Sequence, residues 1–126
     1  MKNQAIGWVE IPVTDMERAI SFYETVFDYK IERHMMGDVD MGWFPWVENG
    51  SGSGGSLVKH PDCVPSREGV FVYLTCHSGD LNNELSRVEA AGGIILRDKH
   101  KISDEHGYQA RILDTEGNRL ALHSKE

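Results

Sequence analysis

The chain has 126 residues, of which 40% are hydrophobic and 26% are charged, and its formal net charge is −7. This length and composition are typical of a single globular domain. The negative charge, with no basic cluster interleaved with aromatic residues, argues against nucleic acid and anionic membrane surfaces as partners. No apolar segment approaches the roughly 20 residues that cross a bilayer, and the N-terminus has no secretory pattern. We therefore expect a cytoplasmic protein.

The two cysteines, Cys63 and Cys76, do not form a C-x-x-C motif of the kind that binds metals. Two cysteines are also too few for disulfides to be the main source of stability in a chain of this size. We predict that both thiols are free, which agrees with a cytoplasmic location.

The first half of the chain predicts a strand, a helix and three further strands. Residues 5–13 are rich in β-formers, and Thr14 or Asp15 can cap the helix that follows. Apolar residues then recur at helical spacing as far as Phe27. The remaining strands, bounded by glycines and polar residues, are predicted at 29–36, 41–48 and 56–60.

After a proline-containing connector, the second half of the chain repeats this order. A strand over 69–76 precedes a helix over 80–93, in which glycines stop the helical pattern. Three more strands are predicted at 93–99, 108–114 and 119–124. The last two strands form a hairpin, in which Gly117 supplies the positive φ that such turns often need.

The two halves align when one is shifted by 65 residues. The matching pairs are Asp15 with Asp80, Met16 with Leu81, Ile20 with Leu85, Glu24 with Glu89, and Ile31 with Leu96. The chain is therefore predicted to be an α+β protein made of tandem βαβββ repeats, within one domain over 1–126. The first repeat covers about 4–60 and the second about 69–126.

A βαβββ unit covers only one face of its sheet with a helix, so two units must come together to enclose a cleft between their free faces. Side chains alternate along a strand. If Val9 and its apolar neighbours lie under the first helix, Trp8 and Glu10 point into the cleft. By the same alternation, Ala121 and His123 point into it from the second repeat.

The phrases "EIPVTDMERAISFYETVF" and "LDTEGNRLALHS", together with the double pattern, resemble the vicinal oxygen chelate superfamily. That superfamily contains glyoxalase I, bleomycin-resistance proteins and extradiol dioxygenases, and the resemblance covers essentially the whole chain. It implies curved mixed sheets around a cleft, commonly in a homodimer. It does not specify the activity, because members range from metal-dependent lyases, isomerases, epimerases and oxygenases to metal-free proteins that sequester a drug.

The resemblance also implies where a divalent metal would bind, since the family's enzymes hold it with His, Glu or Gln on the first and last strands of each repeat. At the matching points this chain has Trp8, the segment Ser56–Val58, Val70 and Ala121. Tryptophan, valine and alanine donate nothing to a metal. We therefore expect no cofactor and no metal at the usual site.

Glu10 and His123 lie two residues beyond the lost ligands, on the same strand faces. They could form a displaced metal site with a third donor, or a metal-free polar pair that holds a ligand or acts as base and acid. Alternatively, Glu10 satisfies a backbone group or a buried arginine such as Arg111 and does no chemistry. Candidates for the third donor are His106, His60 and Glu48.

Aromatic residues and methionines gather in the second and third predicted strands, at Met35, Met36, Met41, Trp43, Phe44 and Trp46. They could form a wall for a flat or acyl ligand, but packing in the core or a dimer contact is the commoner use of such residues. His106 lies in a loop that resembles one closing over the cleft in related proteins. The Gly50–Gly55 segment lacks a phosphate-binding motif and is predicted to be a hairpin tip.

Three functions remain open from the sequence. The favoured one is a metal-independent protein that binds a small organic molecule in the cleft, as a homodimer. The alternatives are a glyoxalase-like metal-dependent lyase, isomerase or dioxygenase with shifted ligands, and a protein-interaction module. Glu10 and His123 are the catalytic candidates if any reaction occurs. The predicted ligand-binding residues are Trp8, Glu10, Trp43, Phe44, His106, Arg111 and His123.

Overall fold

The structure, a computed structural model, describes residues 3–126, which form two helices and eight strands. In chain order these are β1 (Trp8–Pro12), α1 (Met16–Phe27), β2 (Glu32–Met36), β3 (Val39–Trp43), β4 (Gly54–Lys59), β5 (Val72–Thr75), α2 (Leu81–Val88), β6 (Ile94–Ser103), β7 (Gly107–Leu113) and β8 (Arg119–Ser124). Neither helix in this part of the chain is long and apolar enough to cross a membrane.

The strands form two four-stranded sheets with the same topology. The first sheet has the order β1-β4-β3-β2 and the second β5-β8-β7-β6. In each, the first and last strands of the unit pair in parallel and the other pairs are antiparallel. No strand of one sheet pairs with a strand of the other among residues 3–126, so the sheets do not close into a barrel. The predicted α+β fold of tandem βαβββ units is confirmed.

The two helices begin in the same way at equivalent positions of the repeat. Asp15 and Asp80 are both extended, and each accepts a hydrogen bond from a backbone N–H of the first helical turn, at 3.1 and 2.9 Å. Helix α1 ends at Phe27 as predicted, because Asp28 adopts the left-handed conformation. Helix α2 ends at Val88, earlier than predicted, and turns lead from it to β6.

Both helices pack against one face of their sheets and against each other. The resulting core is one cluster that includes residues of both units, such as Ile11, Leu57, Leu120 and Leu122. Between the helices, the guanidinium Nε of Arg87 donates to a backbone carbonyl of α1 at 2.9 Å. Hydrophobic burial on the helix side of each sheet is therefore shared between the two units.

Several strands differ in length from the prediction: β1, β2 and β5 are shorter than the predicted 5–13, 29–36 and 69–76, and β3 and β6 differ as well. Strand β3 ends at Trp43 instead of continuing to residue 48, because Pro45 has no N–H with which to extend the pairing. Strand β6 runs on to Ser103, and its register with β7 shifts at three places. These irregularities lengthen the β6–β7 hairpin beyond what alternation alone predicts.

The turn between β7 and β8 joins the second unit to the start of α1 in the first. The carboxylate of Glu116 accepts hydrogen bonds from the backbone N–H groups of Thr14 and Asp15, both at 2.9 Å, and from Arg18 Nε at 2.7 Å. Burial raises the pKa of this carboxyl, but the bond from Arg18 and the backbone bonds outweigh it and lower the pKa from 4.5 to about 2. The buried phenol of Tyr23 donates to Asp114 of the same turn at 2.6 Å.

Because the pKa of Glu116 is lower in the folded chain, its contribution to stability is complete above pH 4.5 and is lost as the pH falls to about 2. We expect Glu116→Gln to be less stable than the parent at neutral pH. The variant should also lose less stability between pH 4.5 and about 2, measured by urea unfolding across this range. The same change at Glu89, whose side chain is exposed on the protein surface, is the control and should leave the pH profile unchanged. Parallel profiles of stability against pH for the parent and Glu116→Gln would contradict the lowered pKa of Glu116.

Candidate functional site

Each sheet has an open face, defined here as the face turned away from its helix. In β1, Ile11 is buried in the core, so alternation places Trp8 and Glu10 on the open face. In β8, Leu120 and Leu122 lie in the core, and Ala121 and His123 therefore point to the opposite side. The orientation of both strands agrees with the alternation read from the sequence.

The open face of the first sheet carries three tryptophans, Trp8, Trp43 and Trp46, which we call the tryptophan cluster. The rings of Trp8 and Trp43 meet edge to face, with centroids 5.9 Å apart. Trp46 comes from the loop after β3 and lies with Trp8 over Gly54, where an added Cβ would be only 2.6 Å from its ring. Glycine at this position therefore allows the indole to rest on the sheet. The imidazole of His34 lies 4.4 Å from the ring of Trp43.

Two polar atoms under this cluster have no hydrogen-bond partner among residues 3–126. They are the indole Nε1 of Trp43 and the hydroxyl of Ser56, and both are buried. The two residues are direct neighbours across β3 and β4, and Glu10 is next to Ser56 on β1. An unpartnered buried donor costs about 1–3 kcal/mol, so native structures retain few of them without a reason.

The open face of the second sheet is basic. Arg111 and Arg119 both place their guanidinium groups over the ring of Phe71, at 5.2 and 5.0 Å from its centroid. Arg111 Nε also donates to the side-chain oxygen of Gln109 at 3.3 Å. Further along β8, the Nε2 of His123 is 2.6 Å from the carbonyl oxygen of His106, which fixes the β6–β7 turn to this face.

A cavity of about 420 Å³ lies between the edges of β1 and β5, where the two units meet. Its lining includes Trp8 and Glu10 from the first unit and Val70 and Arg119 from the second. Of the open-face residues, this cavity is lined by Trp8 and Glu10 of the first sheet and Arg119 of the second, whereas Trp43 and Arg111 lie outside its lining. The size of the cavity lies within the range of small-molecule sites.

Comparison with known proteins agrees with this architecture. A protein-family model described as the Glyoxalase/Bleomycin resistance protein/Dioxygenase superfamily matches residues 5–122. The chain belongs to this superfamily. The resemblance to the vicinal oxygen chelate proteins is therefore confirmed. No curated protein matches the chain.

Solved structures of superfamily members share the fold at low sequence identity. A glyoxylase/bleomycin resistance protein/dioxygenase domain from Frankia sp. is 15% identical with a TM-score of 0.73, over 99% of this chain and 100% of that one. A variant of glyoxalase I from Zea mays is 19% identical with a TM-score of 0.72, over 94% of this chain and 46% of that one. The fosfomycin resistance protein FosX from Listeria monocytogenes is 15% identical with a TM-score of 0.66, over 98% and 94%.

The residues at the superfamily's metal positions do not fit a divalent ion. Trp8 and Val70 line the same cavity, whereas Ser56 and Ala121 are buried on the open faces of their sheets. Indole and aliphatic side chains offer no lone pair to a metal. Within the described part of the chain, no three His, Cys, Asp or Glu side chains converge to replace them.

The shifted candidates Glu10 and His123 are separate in the single chain. Glu10 is exposed, and its carboxylate belongs to none of the ion pairs of residues 3–126. Glu10 nevertheless lines the cavity between the two units, since the edge of β1 leaves its side chain open to solvent. His123 bonds to the carbonyl of His106, and Arg111 to Gln109, rather than to Glu10.

The remaining predicted residues occupy different parts of the molecule. Phe44 packs against Tyr23 and Tyr29 at the edge of the core, with ring centroids 5.6 and 6.2 Å away, and it lines a pocket together with Trp46. His106 is exposed in its turn. The proposed third donors also lie apart: His60 neighbours Asp38 and Asp62, and Glu48 lies on the exposed β3–β4 loop.

Sequence reasoning missed Phe71 and Arg119 on the open faces, and it placed Ser56 at a metal position without assigning it a role in binding. Arg119 could have been found, because the alternation that places Ala121 and His123 on the open face also places Arg119 there. Ser56 and Phe71 gave no signal of this kind. The unpartnered state of Ser56 depends on its cross-strand neighbours, and the role of Phe71 depends on two arginines from different strands.

Ser56 and Ser124 provide a direct test of the unpartnered hydroxyl. Both side chains are buried, but the hydroxyl of Ser124 accepts from Leu81 N at 2.9 Å, whereas that of Ser56 has no partner in residues 3–126. Ser124→Ala should lower the free energy of unfolding by about 1–3 kcal/mol. Ser56→Ala should change it by less than about 0.5 kcal/mol or increase it. Urea unfolding of both variants measures the two changes in the free energy of unfolding. Equal decreases in the two variants would show that the hydroxyl of Ser56 is hydrogen-bonded in solution.

Proposed function

We propose that this chain is a cytoplasmic, glyoxalase/bleomycin-resistance-like protein that binds a small organic molecule between its open sheet faces without a bound metal. The observation that carries the proposal is the pair of buried, unpartnered donors, Trp43 Nε1 and the Ser56 hydroxyl, under the tryptophan cluster. Selection for stability alone would replace such atoms with apolar ones, so their retention favours a role in binding. The free thiols of Cys63 and Cys76 support the cytoplasmic location.

The tryptophan cluster suits a ligand that is flat and partly apolar. The indoles of Trp8 and Trp43 offer large rigid surfaces, and the two donors beneath them can bond to a ligand oxygen or nitrogen. These donor atoms are covered in the free chain, so a ligand reaches them only when the groups that cover them move.

A homodimer is part of the proposal. Apolar side chains at the entrance of the cavity are exposed in the single chain, among them Ile6, Val64 and Val70, the last at 91%. A second copy would cover them and would remove this apolar surface from water. This chain covers only 46% of the glyoxalase I chain from Zea mays, so two copies together match the length of that chain.

Sequestration is favoured over catalysis by the chemistry of the side chains present. The metal positions carry no donors that fit an ion, as described above. Burial raises the pKa of the Cys76 thiol to about 12, so this cysteine stays protonated and is a poor nucleophile.

The substitution Trp43→Phe tests the role of the indole N–H. It keeps a six-membered aromatic ring and removes only the five-membered ring that carries the N–H donor. Planar aromatic compounds that raise the melting temperature of the parent serve as probes. We expect their affinity, measured by isothermal titration calorimetry, to fall about fivefold to tenfold in the variant. Trp46→Phe is the matched control, because it makes the same change at an indole that is largely exposed. The affinity of this variant for the probes should stay within about twofold of the parent's affinity.

Two results would count against the proposed function. The first is unchanged affinity of every probe in Trp43→Phe. The second is a stoichiometric transition metal that survives dialysis of the parent and is lost in Glu10→Ala or His123→Ala. That outcome would instead establish the metal-dependent alternative with shifted ligands.

A further inference from the structure

The two arginines on the second open face are held in place without a carboxylate. Arg111 comes from β7 and Arg119 from β8, and the ring of Phe71 lies within 5.2 Å of both guanidinium carbons. The Nε of Arg119 is buried and has no hydrogen-bond partner among residues 3–126. These guanidinium groups are positioned by an aromatic ring and a neighbouring amide, and their remaining N–H donors are free to bind another group.

The chain has 20 acidic and 13 basic side chains, yet these two arginines share one aromatic ring and not a carboxylate. Two other arginines have acidic partners, since Arg18 bonds to Glu116 at 2.7 Å and Arg33 to Asp40 at 2.7 Å. Arg67, Arg87 and Arg97 take part in no ion pair among residues 3–126. In the described part of the chain, neither Arg111 nor Arg119 takes part in an ion pair. Arg97 is the cross-strand neighbour of Arg111 and adds a third positive charge to the face. The local field is therefore positive on a protein whose net charge is −7.

We propose that Arg119 and Arg111 form the anion subsite of the ligand, so that the molecule bound by this chain carries a carboxylate or phosphate group. The inference rests on the proposed function and names the chemical class of its ligand. Guanidinium groups match the oxygens of both anions with paired N–H donors. Glu10 lines the same cavity as Arg119 and repels an anion, so the anionic group binds on the Arg111 side of Arg119. The aromatic part of the ligand then extends towards the tryptophan cluster.

Matched probes separate the charge from the rest of the ligand. Naphthoate and its neutral amide, naphthamide, have the same shape, and inorganic phosphate presents the anion alone. We expect the parent to bind naphthoate at least about tenfold more tightly than naphthamide by titration calorimetry. In Arg119→Gln this preference should disappear through weaker binding of naphthoate, with naphthamide unchanged. Phosphate should compete with naphthoate in the parent, and added salt should weaken naphthoate binding.

Lys30→Gln is the charge-matched control, since it removes one positive charge from an exposed position outside both open faces. It should leave the preference for naphthoate intact. Arg119→Lys keeps the positive charge but lacks the planar N–H donors of arginine. A preference for naphthoate between those of the parent and Arg119→Gln would show that both the charge and the hydrogen bonds of Arg119 contribute to binding. Circular dichroism of each variant confirms that the fold is retained.

Failure of the inference is distinguishable from failure of the proposed function. If naphthoate and naphthamide bind equally and Trp43→Phe weakens both, the site binds neutral ligands and the anion subsite is overturned. If neither probe nor phosphate binds at millimolar concentration, the anion subsite is likewise overturned. If Arg119→Gln dissociates a dimer in sedimentation velocity while the preference for naphthoate persists, the arginines pair with a second copy and not with a ligand.

Discussion

One constraint governs this molecule: each four-stranded sheet has a helix on only one of its faces. Burial of the helix side produces a core shared by both units, and no helix or second sheet within residues 3–126 covers the opposite faces. The turn at Asp114–Asn118 fixes the relative position of the units, because its carboxylates bond to the start of α1 and to Tyr23. All the residues assigned to binding lie on these open faces, so the site depends on this arrangement of helices.

The elements of the fold could be predicted because their signals are local. Helical spacing and the equivalent caps Asp15 and Asp80 define the helices, and strict alternation defines β1 and β8. The errors have physical causes. Pro45 ends β3 early, and the shifts of register between β6 and β7 lengthen a hairpin that appears short in the sequence. Such shifts depend on how two strands pair with each other. The hydrophobic pattern of one strand carries no information about this pairing.

The candidate site could be predicted only where alternation decides it. Side chains alternate between the two faces of a strand, and this alternation alone places Trp8, Ala121 and His123 on the open faces. The exposure of Glu10 does not follow from alternation, since it depends on whether another strand covers the edge of β1. The unpartnered hydroxyl of Ser56 also depends on neighbours that are distant in sequence. Residues whose role is defined by cross-strand contacts are therefore the ones that the sequence left unassigned.

The two open faces differ in chemistry in a way that fits the loss of metal ligands. In the superfamily's enzymes, as the resemblance implies, an ion binds the oxygens of the substrate. On the proposed site, oxygens would instead meet the Trp43 indole and Ser56 hydroxyl on one sheet and the guanidinium groups of Arg111 and Arg119 on the other. Hydrogen-bond donors and fixed positive charge can hold an oxygen-rich ligand without activating it. In the proposed site, a single ion is thus replaced by donors that come from both sheets, so the position of the ligand depends on how the two units are held together.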